Sequence, residues 1–316
     1  MSNKNPLVSI MIPTYNQLDY FSKAMESAAS QEYPNLEIIV CDNSTNEDTA
    51  EWMKRYRNDR RVKYVRNKEA KSKAENFRPF EQLAQGEYLQ WLMHDDVLLP
   101  GKLTRMARIL SNREEITLVT SQRAIIDNAG NVMKSKFQMQ LPITNPVYGV
   151  FSGQELGKCM LQTACNVIGE PSAVLFRRND LTNHYWQAES RGYFVLSDVA
   201  MWLELMEKGD VAVFKEPLSY YRRHESQEGQ QPDVLLLSRI EWYKIIEDYY
   251  KRDVFIHNPW DRLSVYKMFI RESENDAISL KKRSSSNICH CYDTIIKKMK
   301  EKVGLELFWK RVEKNA

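Results

Sequence analysis

Short apolar runs alternate with longer amphipathic segments through residues 7–122, and this alternation limits the folds open to the chain. The runs have the length of buried strands, and the segments between them are long enough for helices. Repeated β–α–β units join parallel strands by right-handed crossovers, so the pattern predicts an α/β fold with a twisted sheet flanked by helices. The predicted strands are residues 7–12, 36–41, 62–65 and 88–93, and the predicted helices are residues 18–31, 47–57, 73–85 and 100–110.

The pattern is less regular after residue 122 and becomes mostly helical from Pro232 onward. A length of 316 residues allows one large domain with an appendage. We therefore predict a domain over residues 1–230, with a mixed and mostly parallel sheet, and a mainly helical region with a basic tail over residues 231–316. The later predicted strands are residues 116–126, 172–176 and 211–214, and the later predicted helices are residues 154–163 and 199–208.

The net charge is close to neutral but unevenly distributed. The chain has 45 Lys and Arg against 42 Asp and Glu, which gives no general reason to expect nucleic acid as a partner. Residues 281–316, however, hold ten basic and four acidic side chains. The tail is therefore strongly basic, and the rest of the chain is slightly acidic.

The first glycine of the chain is Gly86. Walker-type and dinucleotide-binding loops need glycine so that backbone N–H groups can approach phosphate closely. The late first glycine therefore argues against P-loop NTPases and Rossmann dehydrogenases. A nucleotide bound by the N-terminal half must be held by side chains or by a metal ion.

The sequence has no pattern that predicts export or membrane insertion. Its N-terminus lacks the apolar stretch of a secretory signal, and no window approaches the ~20 apolar residues of a membrane span. Five scattered cysteines indicate reduced thiols, and Cys289 and Cys291 lack the second pair that a zinc site needs. These features predict a cytoplasmic location without structural zinc.

Polar side chains follow three of the predicted strands. In open α/β sheets, ligands bind outside the carboxyl ends of the strands, so turns that are distant in sequence converge on one crevice. The groups predicted to converge there are Thr14-Tyr15-Asn16, Asp42 and Asp95-Asp96.

The adjacent carboxylates Asp95 and Asp96 are a candidate metal site. Like charges at this distance raise one pKa unless a cation neutralises them, and carboxylate oxygens suit Mg²⁺ or Mn²⁺. Alternatively, the pair only caps the helix that opens near Pro100. Asp42 leaves the same choice open, since it can cap the next helix or accept a hydrogen bond from a nucleotide base N–H.

Asp198 opens an amphipathic helix, where the helix dipole favours the ionised form that a general base needs. A simple helix cap is the alternative. Farther along the chain, His224 could supply an imidazole to a metal, and Arg222 and Arg223 could pair with a diphosphate. A solvated basic turn would explain the same residues.

Together these segments resemble the family 2 glycosyltransferases, which have the GT-A fold. The resemblance covers about residues 7–226. It rests on Val8-Ser9-Ile10-Met11-Ile12-Pro13-Thr14-Tyr15-Asn16, Asp42-Asn43-Ser44-Thr45, Ala84-Gln85-Gly86-Glu87-Tyr88, His94-Asp95-Asp96, Glu170-Pro171-Ser172, Ser197-Asp198 and Tyr221-Arg222-Arg223-His224.

The resemblance implies a role for each matching residue. The family's DxD-type motif binds the metal that bridges the donor diphosphate, which implies Mn²⁺ or Mg²⁺ on Asp96, Asp95 and His224. Met93 stands where the first Asp of that motif often lies. The residues implied to bind the nucleotide sugar are Pro13, Thr14, Tyr15, Asn16, Asp42, Asn76, Asp95, Arg222 and Arg223. Near Asn76 the family's glycine and arginine are missing, so Lys71 or Lys73 would approach the nucleotide instead.

The family's inverting base precedes an amphipathic helix, which implies this role for Asp198. The implied reaction transfers a sugar from a nucleotide-diphosphate donor, expected to be UDP-linked, to a hydroxyl of a saccharide or lipid-linked saccharide. This would serve bacterial surface polysaccharide synthesis, as in O-antigen or capsule. Two alternatives stay open, a sugar-1-phosphate nucleotidyltransferase and a catalytically idle carbohydrate-binding protein.

Apolar residues recur at helical spacing in the basic tail, and Trp309 follows them among Lys and Arg. An interfacial membrane helix has this composition. The alternative is a helix that packs on the body and displays a solvated basic face. The first alternative would place the enzyme peripherally on the inner face of the membrane through residues 281–316.

Overall fold

The computed structural model describes residues 5–133, 142–183, 192–225, 227, 229 and 231–315; the side chains of 275–278, 306 and 308–315 fall outside the description. Ten strands are described: β1 (Val8–Thr14), β2 (Leu36–Asp42), β3 (Val62–Arg66), β4 (Tyr88–Trp91), β5 (Val97–Leu98), β6 (Ile116–Ile126), β7 (Val132–Met133), β8 (Tyr148–Phe151), β9 (Leu175–Arg177) and β10 (Asp210–Arg222).

The described α-helices follow most of the predicted segments. They are α1 (Leu18–Ala29), α2 (Asp48–Met53), α3 (Lys73–Phe77), α4 (Phe80–Leu83), α5 (Lys102–Asn112), α6 (Gly153–Thr163), α7 (Ser197–Lys208), α8 (Pro232–Lys251), α9 (Pro259–Lys281) and α10 (Ser286–Asn315). The predicted single helix over 73–85 is wrong, because the chain breaks at Pro79 between α3 and α4.

All ten described strands form one sheet, in the order β3-β2-β1-β4-β9-β6-β10-β5, with β7 on β6 and β8 on β10. The ladders that join β1 to β2 and β4, β2 to β3, and β6 to β10 are parallel. The antiparallel ladders are short, with two to four residue pairs each. The predicted α/β fold with a mixed and mostly parallel sheet is therefore confirmed.

Strand β1 continues through Pro13, where the sequence predicted that it would stop. The Val8 N–H donates toward β2 and the Met11 carbonyl accepts from Leu92 on the β4 side. Odd-numbered residues of β1 therefore face β4, whose ladder ends at Met11. Because the β4 ladder offers Pro13 no partner, its missing N–H costs no hydrogen bond. Strand β1 therefore continues to Thr14 at the edge of the sheet.

The turn at Gly86 packs closely against β1 at Ser9. This close packing explains the Ala84–Tyr88 motif. The Gly86 N–H donates to Ser9 Oγ at 2.8 Å, and Ser9 Oγ donates to Glu37 Oε1 at 2.6 Å. A Cβ at Gly86 would lie 2.6 Å from the Ser9 nitrogen. Glycine is required here because the two main chains approach so closely.

The chain packs as two compact units. The first contains residues 1–153, 168–192 and 201–224, and the second contains residues 154–167, 193–200 and 225–316. The division is therefore not a single boundary at residue 230, because two short earlier pieces belong with the helical C-terminal region. The first unit holds the whole described sheet, and the second holds α8, α9 and α10.

In the second unit, α10 packs an apolar face formed by Tyr292, Ile296 and Met299, all buried. The Tyr292 hydroxyl donates to the Ser273 carbonyl of α9 at 2.8 Å. Lys297 and Lys298 are exposed. These contacts favour the packing alternative for the apolar face, while the side chain of Trp309 lies outside the described residues. Over the part of the chain that the structure describes, no helix is long and apolar enough to span a membrane.

Candidate functional site

Asn16 links the end of β1 to the end of β2 by hydrogen bonds. Its backbone is left-handed, with φ of 52°, and its N–H donates to Ser44 Oγ at 2.8 Å. Its side-chain oxygen accepts from the Thr45 N–H at 2.8 Å. Asparagine tolerates this conformation because its short side chain bonds locally. Asn16 thus shapes the predicted nucleotide end of the sheet by internal bonds.

Asp42 lies beside Thr14 in the β1–β2 register and is fully buried. Its Oδ1 accepts from the Ser44 N–H at 2.8 Å, and its Oδ2 accepts from the Tyr64 hydroxyl and from Arg66 Nη1, both at 2.6 Å. A carboxylate has about four acceptor sites, so at most one is left for a nucleotide base. Asp42, which the sequence predicts to bind the nucleotide, therefore mainly holds the ends of its own strand and of the neighbouring strand in place.

Tyr64 and Arg66 were not foreseen as partners of Asp42. Burial and the hydrogen bond to the Asp42 carboxylate raise the pKa of Tyr64, so the hydroxyl stays a proton donor. The side-chain alternation along β3 could have identified these partners from the sequence. Tyr64 and Arg66 share one face of the strand, and Arg66 pairs with Asp42 in register.

Several buried polar atoms near these strand ends have no hydrogen-bond partner among the described residues. Besides Arg66 Nε, they include the Thr14 hydroxyl and the side-chain oxygen of Asn76, in residues that are 1% and 3% exposed. The Asn76 amide nitrogen is fixed, since it donates to the Cys41 carbonyl at 3.0 Å. Tyr15 beside them is 49% exposed. Buried polar atoms without a partner are unusual and suit a ligand that completes their bonds.

The second cluster joins Asp95 to His224. Asp95 Oδ2 lies 3.2 Å from His224 Nε2, and both side chains are largely buried. The ring of Tyr20 packs on the imidazole with 5.0 Å between the centroids. The sequence offered both residues as ligands of a metal, and the structure brings the two side chains into direct contact.

Asp96 differs from Asp95 in its surroundings. It is 1% exposed, and its Oδ1 accepts from the Arg222 N–H at 3.0 Å. Burial and the charge of Asp95 raise its pKa well above the ordinary value. Asp96 therefore holds the end of β10 in place, which suits a structural role better than the metal role given to it from the sequence.

Arg222 is also occupied by the protein. Its Nε donates to the Asp95 carbonyl at 2.8 Å, and its Nη1 donates to the carbonyls of Asp127 and Asn128 at 2.9 and 3.3 Å. With 1% exposure, this guanidinium fixes the main chain around Asp95 and is badly placed for a diphosphate. Arg223 is exposed and stays available for that role.

The pair Asp95 and His224 fits a divalent cation. Neighbouring ligands at about 2.1 Å from an octahedral ion lie about 3 Å apart, close to the separation of the two atoms here. Among the described residues, no group of three or more His, Cys, Asp and Glu side chains forms a metal cage. Further ligands would thus be water and substrate oxygens, as is usual for Mg²⁺ bound with phosphates.

Lys102 is a buried cation that the sequence reasoning missed. Its Nζ donates to the Ala173 carbonyl at 2.8 Å, and the side chain is fully buried. Burial lowers the pKa of Lys102 to about 7, although the charge of Asp96 opposes this shift. No sequence signal marks it, because its position at the start of α5 predicts an exposed lysine.

Asp198 lies in the second unit, in the first turn of α7, which begins at Ser197. Its Oδ2 accepts from Asn166 Nδ2 at 3.1 Å, and its Oδ1 accepts from the Val199 N–H at 2.8 Å. Ser197 does not cap the helix with its hydroxyl, which donates to the Tyr193 carbonyl instead. Asp198 is partly exposed, as a base that meets a substrate hydroxyl must be.

Comparison with known sequences identifies relatives among glycosyltransferases. The family model for glycosyl transferase family 2 matches residues 9–180. An uncharacterized glycosyltransferase of Methanocaldococcus jannaschii is 31% identical over 132 residues, which are 41% of this chain and 46% of that protein. The Escherichia coli UDP-Glc:alpha-D-GlcNAc-diphosphoundecaprenol beta-1,3-glucosyltransferase WfaP is 28% identical over 220 residues, which are 69% of this chain and 78% of WfaP.

Solved structures share the fold at low sequence identity. TarS of S. aureus is 14% identical with a TM-score of 0.60, and the match covers 94% of this chain and 49% of TarS. The mannosyltransferase PcManGT from Pyrobaculum calidifontis, solved with GDP-Man and Mn²⁺, is 14% identical with a TM-score of 0.52, over 98% of this chain and 89% of PcManGT. With a family model that matches more than half of its length and a GT-A sheet, the chain belongs to glycosyl transferase family 2.

Proposed function

We propose that this protein transfers a sugar from a nucleotide-diphosphate donor, UDP-linked, to a hydroxyl of a saccharide or lipid-linked saccharide with inversion of the anomeric carbon. The contact between Asp95 and His224 carries the proposal, because it supplies two cation ligands at the carboxyl edge of the sheet. The lipid-linked acceptor and UDP-glucose donor in the name of WfaP favour a role in bacterial surface polysaccharide synthesis.

The residues of the first unit would bind the donor. Tyr15 would stack on the base, and the Thr14 hydroxyl and Asn76 oxygen would complete their hydrogen bonds on the nucleoside. Asp95 and His224 would hold Mn²⁺ or Mg²⁺, which when bound would neutralise diphosphate charge. The exposed guanidinium of Arg223 would add a second cation to the same phosphates.

Asp198 would act on the acceptor. It would take the hydroxyl proton while the acceptor oxygen forms a bond to the anomeric carbon, and the bond from that carbon to the diphosphate oxygen breaks. The electron pair of the broken bond leaves with the nucleotide diphosphate. One displacement of this kind inverts the configuration and needs no covalent intermediate.

The test measures nucleotide release and sugar transfer by the full chain with a panel of UDP- and GDP-sugars and Mn²⁺ or Mg²⁺. Asp95→Asn should lower kcat/KM about a hundredfold or more, because charge stabilisation of this kind is worth roughly 3–4 kcal/mol. Asp48→Asn removes an exposed acid of the first unit that the proposal does not use, and it is the matched control. The anomeric configuration of the product, read by NMR, tests inversion.

Two outcomes would contradict the proposal. Neither nucleotide release nor sugar transfer by the wild type with any donor of the panel would indicate the idle carbohydrate-binding protein. Synthesis of a sugar nucleotide from a sugar 1-phosphate, with release of pyrophosphate, would indicate the nucleotidyltransferase. Family membership already favours the transferase over the nucleotidyltransferase.

The proposal places the protein in the cytoplasm, at the inner face of the membrane where lipid-linked saccharides would be reached. The support is the exposed basic face of α10, which includes Lys297 and Lys298. Clustered Lys residues attract anionic lipid head groups by about 1 kcal/mol each near the surface.

A further inference from the structure

A buried carboxylate binds the chain segment that leads into α7. Glu241 of α8 is 2% exposed. Its Oε1 accepts from the N–H groups of Phe194 and Val195 at 2.8 and 3.2 Å, and its Oε2 accepts from those of Val195 and Leu196 at 3.0 and 2.7 Å. One side chain thus satisfies three consecutive backbone donors.

The same face of α8 makes two further contacts to this segment. Asp248 accepts from the Tyr193 hydroxyl at 2.9 Å, and Lys244 Nζ lies 4.5 Å from the centroid of the Tyr193 ring. Glu241, Lys244 and Asp248 are spaced by three and four residues, so they lie on one side of the helix. The segment 193–196, defined here as the entry segment, is therefore held along its whole length.

The entry segment determines where α7 starts. The Leu196 carbonyl accepts the first helical hydrogen bond, from the Ala200 N–H at 3.0 Å. Asp198 lies two residues beyond Leu196, in the first turn, which is the part of a helix that frays most readily. If α7 slid by one residue in its register, the Asp198 carboxylate would turn by about 100° around the helix axis.

We propose that Glu241 is a positioning residue that fixes the start of α7 and thereby fixes the Asp198 carboxylate for removal of the acceptor proton. The inference rests on the proposed function, since it assumes that Asp198 is the base. A buried carboxylate is a poor means of gaining stability alone, because apolar residues of similar volume often stabilise as well. The four hydrogen bonds that Glu241 accepts from the entry segment instead hold the main chain of that segment in one conformation.

The test compares Glu241→Gln with Glu247→Gln. The amide in Glu241→Gln keeps the shape, but its NH₂ group meets backbone N–H donors and cannot accept from them. Glu247 is the matched control, because it is a similarly buried acid on the same helix that pairs with Lys302 and Arg262 instead of the entry segment. We expect Glu241→Gln to lower the transfer kcat ten- to a hundredfold, the loss that a small misplacement of a reacting group produces. The donor KM should not change.

A double-mutant cycle separates positioning from a general structural role. Adding Glu241→Gln to Asp198→Asn should cause no further loss of kcat, because the positioned carboxylate is already absent. Hydrogen exchange of the amides of residues 194–196 should be faster in Glu241→Gln than in the wild type and unchanged in Glu247→Gln. This readout does not depend on activity.

Three results would overturn the inference: equal losses of kcat in Glu241→Gln and Glu247→Gln, a full multiplicative loss on the Asp198→Asn background, or unchanged exchange in the entry segment. Failure of the proposed function has a different signature. In that case the wild type itself shows no transfer, whereas failure of this inference alone leaves an active wild type.

Discussion

At the scale of single residues, the most informative feature is a buried polar atom that the free protein does not satisfy. The Thr14 hydroxyl has no partner among the described residues, although Thr14 is 1% exposed. By contrast, Asp42 and Arg222 already have their partners inside the protein. Thr14 is thus better suited to a ligand than the two charged residues that attract attention in the sequence.

Thr14→Val should separate binding from stability. Removal of a buried hydroxyl without a partner should leave the melting temperature unchanged or slightly higher, because the desolvation penalty disappears. If the hydroxyl bonds the nucleotide, the Kd for UDP should rise about three- to tenfold, which corresponds to one hydrogen bond. Calorimetric titration with UDP and a melting curve provide both values. A clear loss of stability with unchanged UDP affinity would contradict this reading.

At the scale of elements, Glu37 ties four parts of the sheet together. From β2 it accepts from Ser9 of β1, from the Gln85 N–H before β4 and from Lys63 of β3, at 2.6, 2.7 and 2.7 Å. Burial raises the pKa of Glu37, but the hydrogen bonds from Lys63, Ser9 and Gln85 together lower it below 4.5. The carboxylate therefore stabilises the fold above pH 4.5, and this contribution is lost as the pH falls through the lower folded-state pKa.

Glu37→Gln should therefore lower stability at neutral pH by about 1–3 kcal/mol, the usual penalty for disrupting buried charged hydrogen bonds. Urea unfolding of both proteins from pH 7 down to about 3 measures the difference, which should shrink as Glu37 becomes protonated. Glu87→Gln changes an exposed acid in the next turn and should have little effect at any pH. A difference that is constant with pH would show that packing and not charge is responsible.

At the scale of the whole molecule, the packing of the C-terminal helix must be separated from the membrane binding that we propose for it. Its apolar face packs inside the second unit, and Lys302 bonds Glu247 of α8. Deletion of residues 281–316 would therefore disturb that unit and could not report on membrane binding alone. Lys297 and Lys298 are exposed, so their charge can be changed while the packing is preserved.

Lys297→Glu with Lys298→Glu should weaken sedimentation of the protein with vesicles that contain anionic lipid, by about tenfold or more, since each basic residue contributes about 1 kcal/mol. Lys23→Glu with Lys215→Glu makes the same change of net charge on exposed residues of the first unit and serves as control. Binding that both pairs reduce equally would indicate attraction by net charge. Binding that neither pair changes would rule out a membrane role for this face.

The accuracy of the predictions from sequence depended on how far apart in the chain the interacting residues lie. Strands β1 to β4 were found to within two residues, because continuous apolar runs report burial directly. Strand β10 was predicted much too short, since Glu216 and Pro217 interrupt its apolar run at a bulge. The roles of Arg222 and Glu241 could not be predicted, because their partners are backbone groups that only the tertiary fold brings near.

Arg222 also bears on how the sequences of relatives can change. Its Nη1 binds the carbonyls of Asp127 and Asn128, which every residue type provides. Substitutions at Asn128 should therefore leave the contact intact, whereas an insertion or deletion between β6 and β7 would remove the carbonyls from reach. The length of this turn should vary less among functional relatives than its residue types, and libraries that vary composition but not loop length should retain more active members.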